Sequence, residues 1–360
     1  MWETNRLKRL VRTTYPLIQA GMAGGPTTPE LVAAVSEAGG LGTLGAGYMK
    51  PEDLRKDIRS VRKLTDRPFA VNLFIPEPID VDEAKIAASA ERLAAYRQKL
   101  GVTETEAGAV QTDGPPFEQQ LAVLLEERVP VFSCTFGVPS AETVSRLKEN
   151  GTVVIGTATT VAEAIELERG GADAIVAQGS EAGGHRGTFA APYGEAMVGT
   201  MALVPQIVDR VSVPVAAAGG IMDARTAAAA FVLGAEGVQM GTAFLTCEES
   251  GTRMPHRAAL LKRDETSTVV TKAFSGKPAR GIRNAFIEEM APYEDDLPAY
   301  PIQNSLTKGI RKAAAERNLP DYMSLWAGQG YTLSREGTAQ ELVESVVSGV
   351  ERIFRNGSRR

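Results

Sequence analysis

Histidine and cysteine are both scarce in this chain, with two of each among 360 residues. Cys134 and Cys247 lie in apolar surroundings and far apart, so they supply neither a disulfide framework nor the spacing of metal ligands. We therefore expect two buried thiols in a cytoplasmic protein and no metal site. Any imidazole chemistry must rest on His185, His256 or both.

Long apolar runs and dense basic blocks are also missing. No stretch approaches the roughly 18 apolar residues of a membrane span, and no apolar core follows the basic residues near the N-terminus, so we expect no secretory signal. The net charge is −5 and the pI is about 5.4. This balance makes nucleic acids and anionic membranes poor partners and favours a small soluble molecule. The choice between a monomer and a homodimer stays open.

Short apolar runs alternate with amphipathic segments along the chain. Eight runs are nearly continuous in apolar residues, as expected for parallel strands buried on both faces. They are Leu17–Met22, Leu41–Ala46, Phe69–Phe74, Val129–Gly137, Thr152–Ala158, Ala174–Gly179, Pro214–Gly220 and Gly237–Phe244. The predicted helices between them include Pro29–Ala38, Pro51–Leu64, Ser140–Asn150, Val161–Arg169 and Asp223–Leu233. This α/β alternation predicts a (β/α)8 TIM barrel, with an open doubly wound sheet as the alternative.

Two segments interrupt the alternation. Residues 75–119 contain a helical stretch, Asp82–Leu100, and a Gly, Thr and Pro rich stretch, Gly101–Pro116, and they predict an insertion whose role stays open. Residues 247–322 predict a small inserted α/β domain after strand 8, and Thr338–Arg355 predicts the eighth barrel helix. The predicted organisation is a cofactor-binding barrel of residues 1–246 and 323–360 with a small substrate-side domain of residues 247–322.

Glycine turns follow the seventh and eighth predicted strands, as Gly219-Gly220 and Gly241-Thr242. Loops at these two strand ends of a barrel commonly bind phosphate, and glycine lets backbone N–H groups approach it closely. Thr242 adds a hydroxyl donor, and Asp223 suits the cap of the following helix. Either turn alone is explained as an ordinary tight turn, whereas the two together predict a phosphate-bearing cofactor.

Amide side chains and exposed backbone occur at further strand ends. The candidates are Gln19, Gly21 and Met22 near strand 1, Asn72 in strand 3, Gln178 at the end of strand 6, and Gln239 and Met240 in strand 8. A flavin ring has a mixed donor and acceptor edge that such groups match. Taken singly, the amides are explained as partners for buried backbone. Together with the glycine turns, they predict FMN.

His185 lies in the glycine-rich segment 178–187, QGSEAGGHRG, directly after an apolar strand. Glycines beside an imidazole at a strand end allow close approach to a ligand. An isolated loop histidine more often has no role, but the neighbouring cofactor turns make His185 the candidate catalytic residue. We expect His256, in the segment 253–257, to be a surface residue.

Several segments resemble nitronate monooxygenases, formerly called 2-nitropropane dioxygenases, and most of all the bacterial class I type. They are 15–22 (YPLIQAGM), 69–74 (FAVNLF), 177–187 (AQGSEAGGHRG), 217–222 (AAGGIM), 238–242 (VQMGT), 274–280 (FSGKPAR), 300–304 (YPIQN) and 325–329 (LWAGQ). The resemblance covers nearly the whole chain. The His-centred glycine motif is shared by a small group of FMN barrels, including a flavin-dependent enoyl-acyl-carrier-protein reductase, so it does not specify one enzyme.

The resemblance implies non-covalently bound FMN and the oxidation of an alkyl nitronate by O2 to an aldehyde or ketone plus nitrite. It implies FMN contacts from Asn72, Gln178, Gly183, Gly220 and residues 239–242. It places His185 beside the flavin, where the imidazole either removes a proton from a neutral nitroalkane or positions the nitronate anion. Two alternatives stay open: an FMN-dependent NAD(P)H reductase of enoyl-acyl-carrier protein or a quinone, and a barrel that binds a phosphorylated ligand without redox chemistry.

The sequence departs from some members of that family, which have a second histidine in the fourth-strand segment, where this chain has Ser133–Gly137. Thr135 cannot carry out imidazole chemistry, so a two-histidine mechanism is not expected. Tyr300, Tyr322 and Lys277 are candidates for the substrate pocket, although their spacing does not fix this and Lys277 also suits a solvated loop.

Overall fold

The computed structural model describes residues 2–103, 110, 116–262 and 268–357 of the chain. Most of the Gly, Thr and Pro rich stretch at 101–116 therefore lies outside the described residues. Within them, no helix is long and apolar enough to cross a membrane.

Eight parallel strands form the central sheet. They are β1 (Leu17–Gln19), β2 (Gly42–Gly45), β3 (Phe69–Phe74), β4 (Val131–Thr135), β5 (Val153–Ala158), β6 (Ala174–Gln178), β8 (Val215–Ala218) and β9 (Gly237–Met240), and β7 (Gly184–His185) lies outside this sheet. Neighbours follow the order β1-β9-β8-β6-β5-β4-β3-β2. The Leu41 N–H donates to the Leu17 carbonyl at 2.8 Å, and the Gln19 N–H donates to the Leu41 carbonyl at 3.0 Å. These bonds join the two edge strands, which confirms the predicted barrel and excludes the open sheet.

Helices surround the barrel and extend above it. They are α1 (Arg6–Val11), α2 (Pro29–Glu37), α3 (Pro51–Leu64), α4 (Glu83–Lys99), α5 (Phe117–Glu126), α6 (Ala141–Glu149), α7 (Val161–Arg169), α8 (Thr200–Val208), α9 (Ala224–Val232), α10 (Met254–Leu260), α11 (Ala285–Met290), α12 (Ile302–Glu316) and α13 (Ala339–Gly357). Side chains of Thr28, Ser140 and Thr160 cap α2, α6 and α7. Helix α13 packs between α9 and α2, which is the place of the eighth barrel helix.

Helix α1 closes the amino-terminal end of the barrel. Leu7 and Val11 are buried there against inward-facing strand residues such as Ile18 and Val131. A Cβ at Gly237 would lie 2.2 Å from Leu7 Cδ2, so the helix packs directly on β9. Among the described residues, apolar side chains fill this end of the barrel, so a ligand site is expected at the carboxyl ends of the strands.

A second, antiparallel sheet lies beside the barrel, with the order β10-β11-β7, where β10 is Thr268–Thr271 and β11 is Ala279–Ile282. In its register Ala279 pairs with His185, and Arg280 pairs with Gly184. The sheet fixes the segment after β6 to the chain that follows the last barrel strand. Strand β7 was not predicted, because two residues show no hydrophobic periodicity.

A second apolar core forms above the barrel. It contains Leu93 of α4, Leu306 of α12, Phe274, Phe286 and Leu325. The predicted insertion and the segment after β9 thus pack on each other, and α4 contacts α12. The boundaries 247–322 for a separate domain stay a prediction, since the core also includes residues on either side of that range.

Candidate active site

A cavity of about 1020 Å³ lies at the carboxyl ends of the barrel strands. Its volume is at the upper end of the roughly 300–1,000 Å³ of typical ligand pockets, which leaves room for a cofactor and a substrate. Most of the predicted site residues line it together: Gly21, Met22, Asn72, Gln178, Gly183, His185, Gly219, Gly220, Gln239, Gly241 and Thr242.

Two predicted cofactor contacts lie elsewhere. Gln19 is fully buried, its Oε1 accepts the Thr43 N–H at 2.9 Å, and its Nε2 donates to the Ala20 carbonyl. Met240 is buried in the barrel core. Neither side chain lines the cavity, because each faces the packing between strands rather than the strand ends.

The glycine turns leave backbone open to a ligand. Gly219 and Gly220 have φ values of 107° and 70°, which favour glycine. A Cβ at Gly220 or Gly241 would meet no protein atom closer than 3.5 Å, so both turns leave space against the backbone. Thr242 Oγ1 accepts the Gly328 N–H at 3.0 Å. This bond leaves the hydroxyl proton of Thr242 available to donate to a ligand.

Asp223 occupies the amino terminus of α9, as the sequence suggested. Its Oδ1 accepts the backbone N–H groups of Arg225 at 2.9 Å and Thr226 at 3.3 Å. A carboxylate at this terminus leaves no place there for a phosphate. The turns at Gly219-Gly220 and Gly241-Thr242 are therefore the better places for a bound phosphate.

Gln178 holds the segment that carries His185. Its Nε2 donates to the His185 carbonyl at 3.2 Å, and its Oε1 accepts the Gly187 N–H at 2.8 Å. The amide also borders the cavity. Its position at the end of β6 thus fixes the imidazole relative to the barrel.

Buried Arg186 supports the same turn. Its guanidinium donates to the carbonyls of Gly179 at 2.6 Å, Gln178 at 3.0 Å and Ala196 at 3.3 Å. Burial lowers the pKa of Arg186 to about 10, so it stays charged at neutral pH. The backbone carbonyls of the turn after β6 are therefore hydrogen-bonded by the Arg186 guanidinium rather than by water.

The His185 imidazole lies among aromatic rings at the cavity wall. Ring centroids of Trp326, Phe136 and Tyr300 are 5.6, 6.0 and 6.0 Å away. Burial and the charges of Lys277 and Arg311 lower the pKa of His185 to about 3. The imidazole is therefore neutral at physiological pH.

The charged side chains of the cavity are all cationic among the described residues that line it. They are Lys50, Arg253, Lys308, Arg311 and Lys312. The last three belong to α12, and Arg311 is held by donating to the carbonyl and the Oδ1 of Asn304, both at 2.8 Å. Because the protein as a whole carries a net charge of −5, this concentration of positive charge favours an anionic ligand.

Asn72 and Thr135 form a neutral polar part of the wall. Asn72 Nδ2 donates to Ser133 Oγ at 2.9 Å and to Thr135 Oγ1 at 3.3 Å. Thr135, in the segment 133–137, therefore lines the cavity with a hydroxyl rather than an imidazole. The described residues contain no cluster of His, Cys, Asp or Glu suited to a metal ion.

The prediction that His256 is a surface residue is wrong. His256 is 8% exposed, and its Nε2 donates to the Trp326 carbonyl at 3.0 Å at the cavity wall. The sequence contains no local signal for this burial, which comes from packing of the segment after β9 on the rest of the chain. Lys277, which was left open between the pocket and a solvated loop, is not among the residues that line the cavity: its Nζ lies 2.6 Å from a Glu77 oxygen and 4.4 Å from the Phe136 ring centroid.

Of the two tyrosine candidates for the pocket, one lines the cavity and the other does not. Tyr300 lines the cavity, and burial raises the pKa of its phenol, which stays neutral. Tyr322 belongs to the second apolar core and accepts a bond from Lys99 Nζ. Helix α12 was not predicted, although Ile302, Leu306 and Ile310 recur at helical spacing and are buried.

Fold and site together define a (β/α)8-barrel enzyme with a deep, cation-lined cavity at the carboxyl ends of its strands. Residues 4–349 match the family model described as nitronate monooxygenase. The chain belongs to the nitronate monooxygenase family and is an oxidoreductase of the monooxygenase class, which confirms the resemblance.

Relatives and solved structures are similar to this chain over nearly its whole length. A probable nitronate monooxygenase of Staphylococcus aureus is 50% identical over 355 residues, which are 98% of this chain and 99% of the relative. A nitroalkane oxidase from Streptomyces ansochromogenes has a TM-score of 0.90 at 41% identity and covers 97% of this chain and 99% of its own. FabK from Thermotoga maritima has a TM-score of 0.77 at 34% identity, with 98% and 97% covered.

Proposed function

We propose that the protein oxidises alkyl nitronates with O2 to an aldehyde or ketone plus nitrite, with FMN bound without a covalent link. The observation that carries the proposal is a neutral imidazole in a cavity whose charged lining residues are cationic. A nitronate is a small anion, so the lining residues match its charge. Its conjugate nitroalkane is neutral, and a neutral imidazole is in the protonation state with the free lone pair that a base requires.

The residues present fit FMN. The turns at Gly219-Gly220 and Gly241-Thr242 offer backbone and a hydroxyl to the phosphate, and Asn72 and Gln239 offer amides to the ring edge. When bound, FMN would supply the electron acceptor between nitronate and O2. Heat-released chromophore with the mass of FMN supports this choice, whereas FAD or a colourless protein would contradict it.

Helix α12 holds the substrate anion in this proposal. Lys308, Arg311 and Lys312 of this helix line the cavity, and Lys312 also pairs with exposed Glu316 at 3.9 Å, so Lys308 and Arg311 are the cations assigned to the anion. A single charge pair near a protein surface contributes about 1 kcal/mol, which corresponds to roughly fivefold in affinity. The barrel turns and α12 thus bind different anions, the cofactor phosphate and the nitronate.

Replacing one cation of α12 tests whether this helix, rather than the barrel turns, binds the substrate anion. Lys308→Met is expected to raise the KM for propyl nitronate roughly fivefold and to leave the KM for neutral nitropropane unchanged. Lys63→Met removes an exposed lysine of α3 outside the cavity and is the matched control. Equal changes for both substrates, or the same change in the control, would contradict an anion site on α12.

We also propose a cytoplasmic location, supported by two buried free thiols. The NAD(P)H reductase considered from the sequence would use the same cofactor cavity. Steady-state assays separate the two: nitronate-dependent O2 uptake with nitrite release supports the proposal, and NADPH oxidation coupled to a quinone or enoyl thioester would replace it.

A further inference from the structure

Ser275 lies directly beside the imidazole, although the two residues are 90 positions apart. Its side chain is 1% exposed, and its Oγ is 2.8 Å from His185 Nε2. The β7–β11 pairing brings the two together, since β11 begins at Ala279, four residues after Ser275. The contact is therefore part of the sheet architecture.

The second partner of Ser275 favours one direction for this hydrogen bond. Ser275 Oγ donates to the Lys277 carbonyl at 3.0 Å, and a carbonyl can only accept. The Lys277 N–H also donates to the same Oγ at 3.3 Å. When its single proton is donated to the Lys277 carbonyl, Ser275 accepts from His185 Nε2. That arrangement requires the imidazole proton on Nε2 and leaves Nδ1 with a free lone pair.

Without a substrate anion, the surroundings also disfavour a second proton on the ring. Lys277 is held nearby by Glu77 and the Phe136 ring, and Arg311 is held by Asn304. Both are positive, while Tyr300, the titratable group in ring contact with His185, is a neutral phenol. Among these neighbours, the cations are the groups whose charge reaches the imidazole.

We propose that Ser275 is a positioning residue that holds His185 as the neutral Nε2–H tautomer, with Nδ1 as the atom that accepts the substrate proton. In this tautomer the only ring N–H is bonded to Ser275, so none is left for a nitronate oxygen. The proposal thereby chooses between the two roles that the sequence left open: His185 acts as a base, and α12 holds the anion. In the step, the C–H bond α to the nitro group breaks and an N–H bond forms at Nδ1. The electron pair stays on the substrate as nitronate, whose charge offsets that of the new imidazolium.

The tautomer can be observed directly, because the chain has two histidines. In protein labelled with ¹⁵N-histidine, as purified with its cofactor, long-range ¹H–¹⁵N spectra distinguish protonated from unprotonated ring nitrogens. We expect Nε2–H for His185 in the wild type and a mixture of tautomers in Ser275→Ala. His256 is the internal reference, since its Nε2 must donate to the Trp326 carbonyl in every variant. A wild-type Nδ1–H tautomer, or an unchanged His185 in Ser275→Ala, would overturn the proposal.

Kinetics give an independent readout that rests on the proposed function. Ser275→Ala is expected to lower kcat/KM for neutral nitropropane roughly tenfold, a part of the ~10²–10⁴-fold typical of a positioned base, while propyl nitronate changes less than about twofold. Ser275→Thr keeps the hydroxyl and should restore the Nε2–H signal and most of the rate. Equal losses on both substrates would overturn the positioning role. Wild-type protein that oxidises neither substrate would refute the proposed function instead, and the spectra would still decide the tautomer.

Discussion

His185 has three partners, and two of them, Ser275 and Lys277, lie about 90 residues further along the chain. Gln178 holds its backbone, Ser275 bonds its Nε2, and Lys277 adds positive charge nearby. The glycine-rich motif, together with the turns after the seventh and eighth strands, made His185 the candidate from the sequence. Ser275 could not be selected, because its role arises from strand pairing across 90 residues.

Substitution of the imidazole tests its role as a base. His185→Asn keeps the flavin bound, and we expect a loss of roughly 10²-fold or more in kcat/KM on neutral nitroalkanes, because an amide cannot accept the proton. Activity on preformed nitronates should be largely retained, since these substrates need no base. Stopped-flow assays with both substrates check this. Equal loss on the two would rule out a selective base.

At the scale of elements, the eight barrel strands and most barrel helices could be predicted, whereas the cavity wall could not. Continuous apolar runs identify strands buried on both faces wherever they occur. Strand β7 is placed by its pairing with β11, and helix α12 by its packing on α4. Both contacts join segments far apart in the sequence. The sequence alone therefore identified the strand-end turns and amides that line the cavity and missed its cationic wall.

Gly183 shows how closely two elements meet at the site. A Cβ there would lie 2.5 Å from the backbone carbon of Ala327 and from Gly328 N. We expect Gly183→Ala to cost about 1–3 kcal/mol in unfolding free energy and to lower the flavin content, because backbone must shift beside the cavity. Urea unfolding and absorbance ratios measure both effects.

Gly194→Ala provides the matched control for that substitution. Gly194 is exposed, and a Cβ there would meet no atom within 4 Å. Its stability and flavin content should equal those of the wild type. If Gly183→Ala behaves in the same way as the control, the close approach of the two segments is not required for cofactor binding.

At the scale of the molecule, charge and burial are distributed unevenly. The net charge of −5 gives no sign of a cation-lined cavity, so the overall composition could not predict the ligand's charge. The second apolar core encloses the cavity and buries His256, which the sequence placed at the surface. Tertiary packing, rather than local pattern, determines both properties.

Buried His256 predicts a loss of stability in acid. Burial lowers the pKa of His256 to about 4, below its unfolded value near 6.5. Between these values the unfolded chain binds more protons than the folded one, so stability is full above about pH 6.5 and decreases as the pH falls toward 4, by at most about 1.4 kcal/mol per pH unit.

Chemical denaturation between pH 7 and pH 4 measures this effect. His256→Gln should show a shallower decrease of unfolding free energy over that range than the wild type, because glutamine does not titrate and can still donate to the Trp326 carbonyl. A decrease of the same slope in both proteins would show that His256 does not contribute to the acid sensitivity.

Anaerobic titration of the purified protein tests the central claim, that the cavity brings a nitronate to a flavin. Visible absorbance of the flavin is followed while propyl nitronate, NADH or NADPH is added without O2. We predict that propyl nitronate bleaches the flavin absorbance and that neither nicotinamide does. Rapid bleaching by NADPH with no response to propyl nitronate would contradict the proposed function and support a flavin reductase.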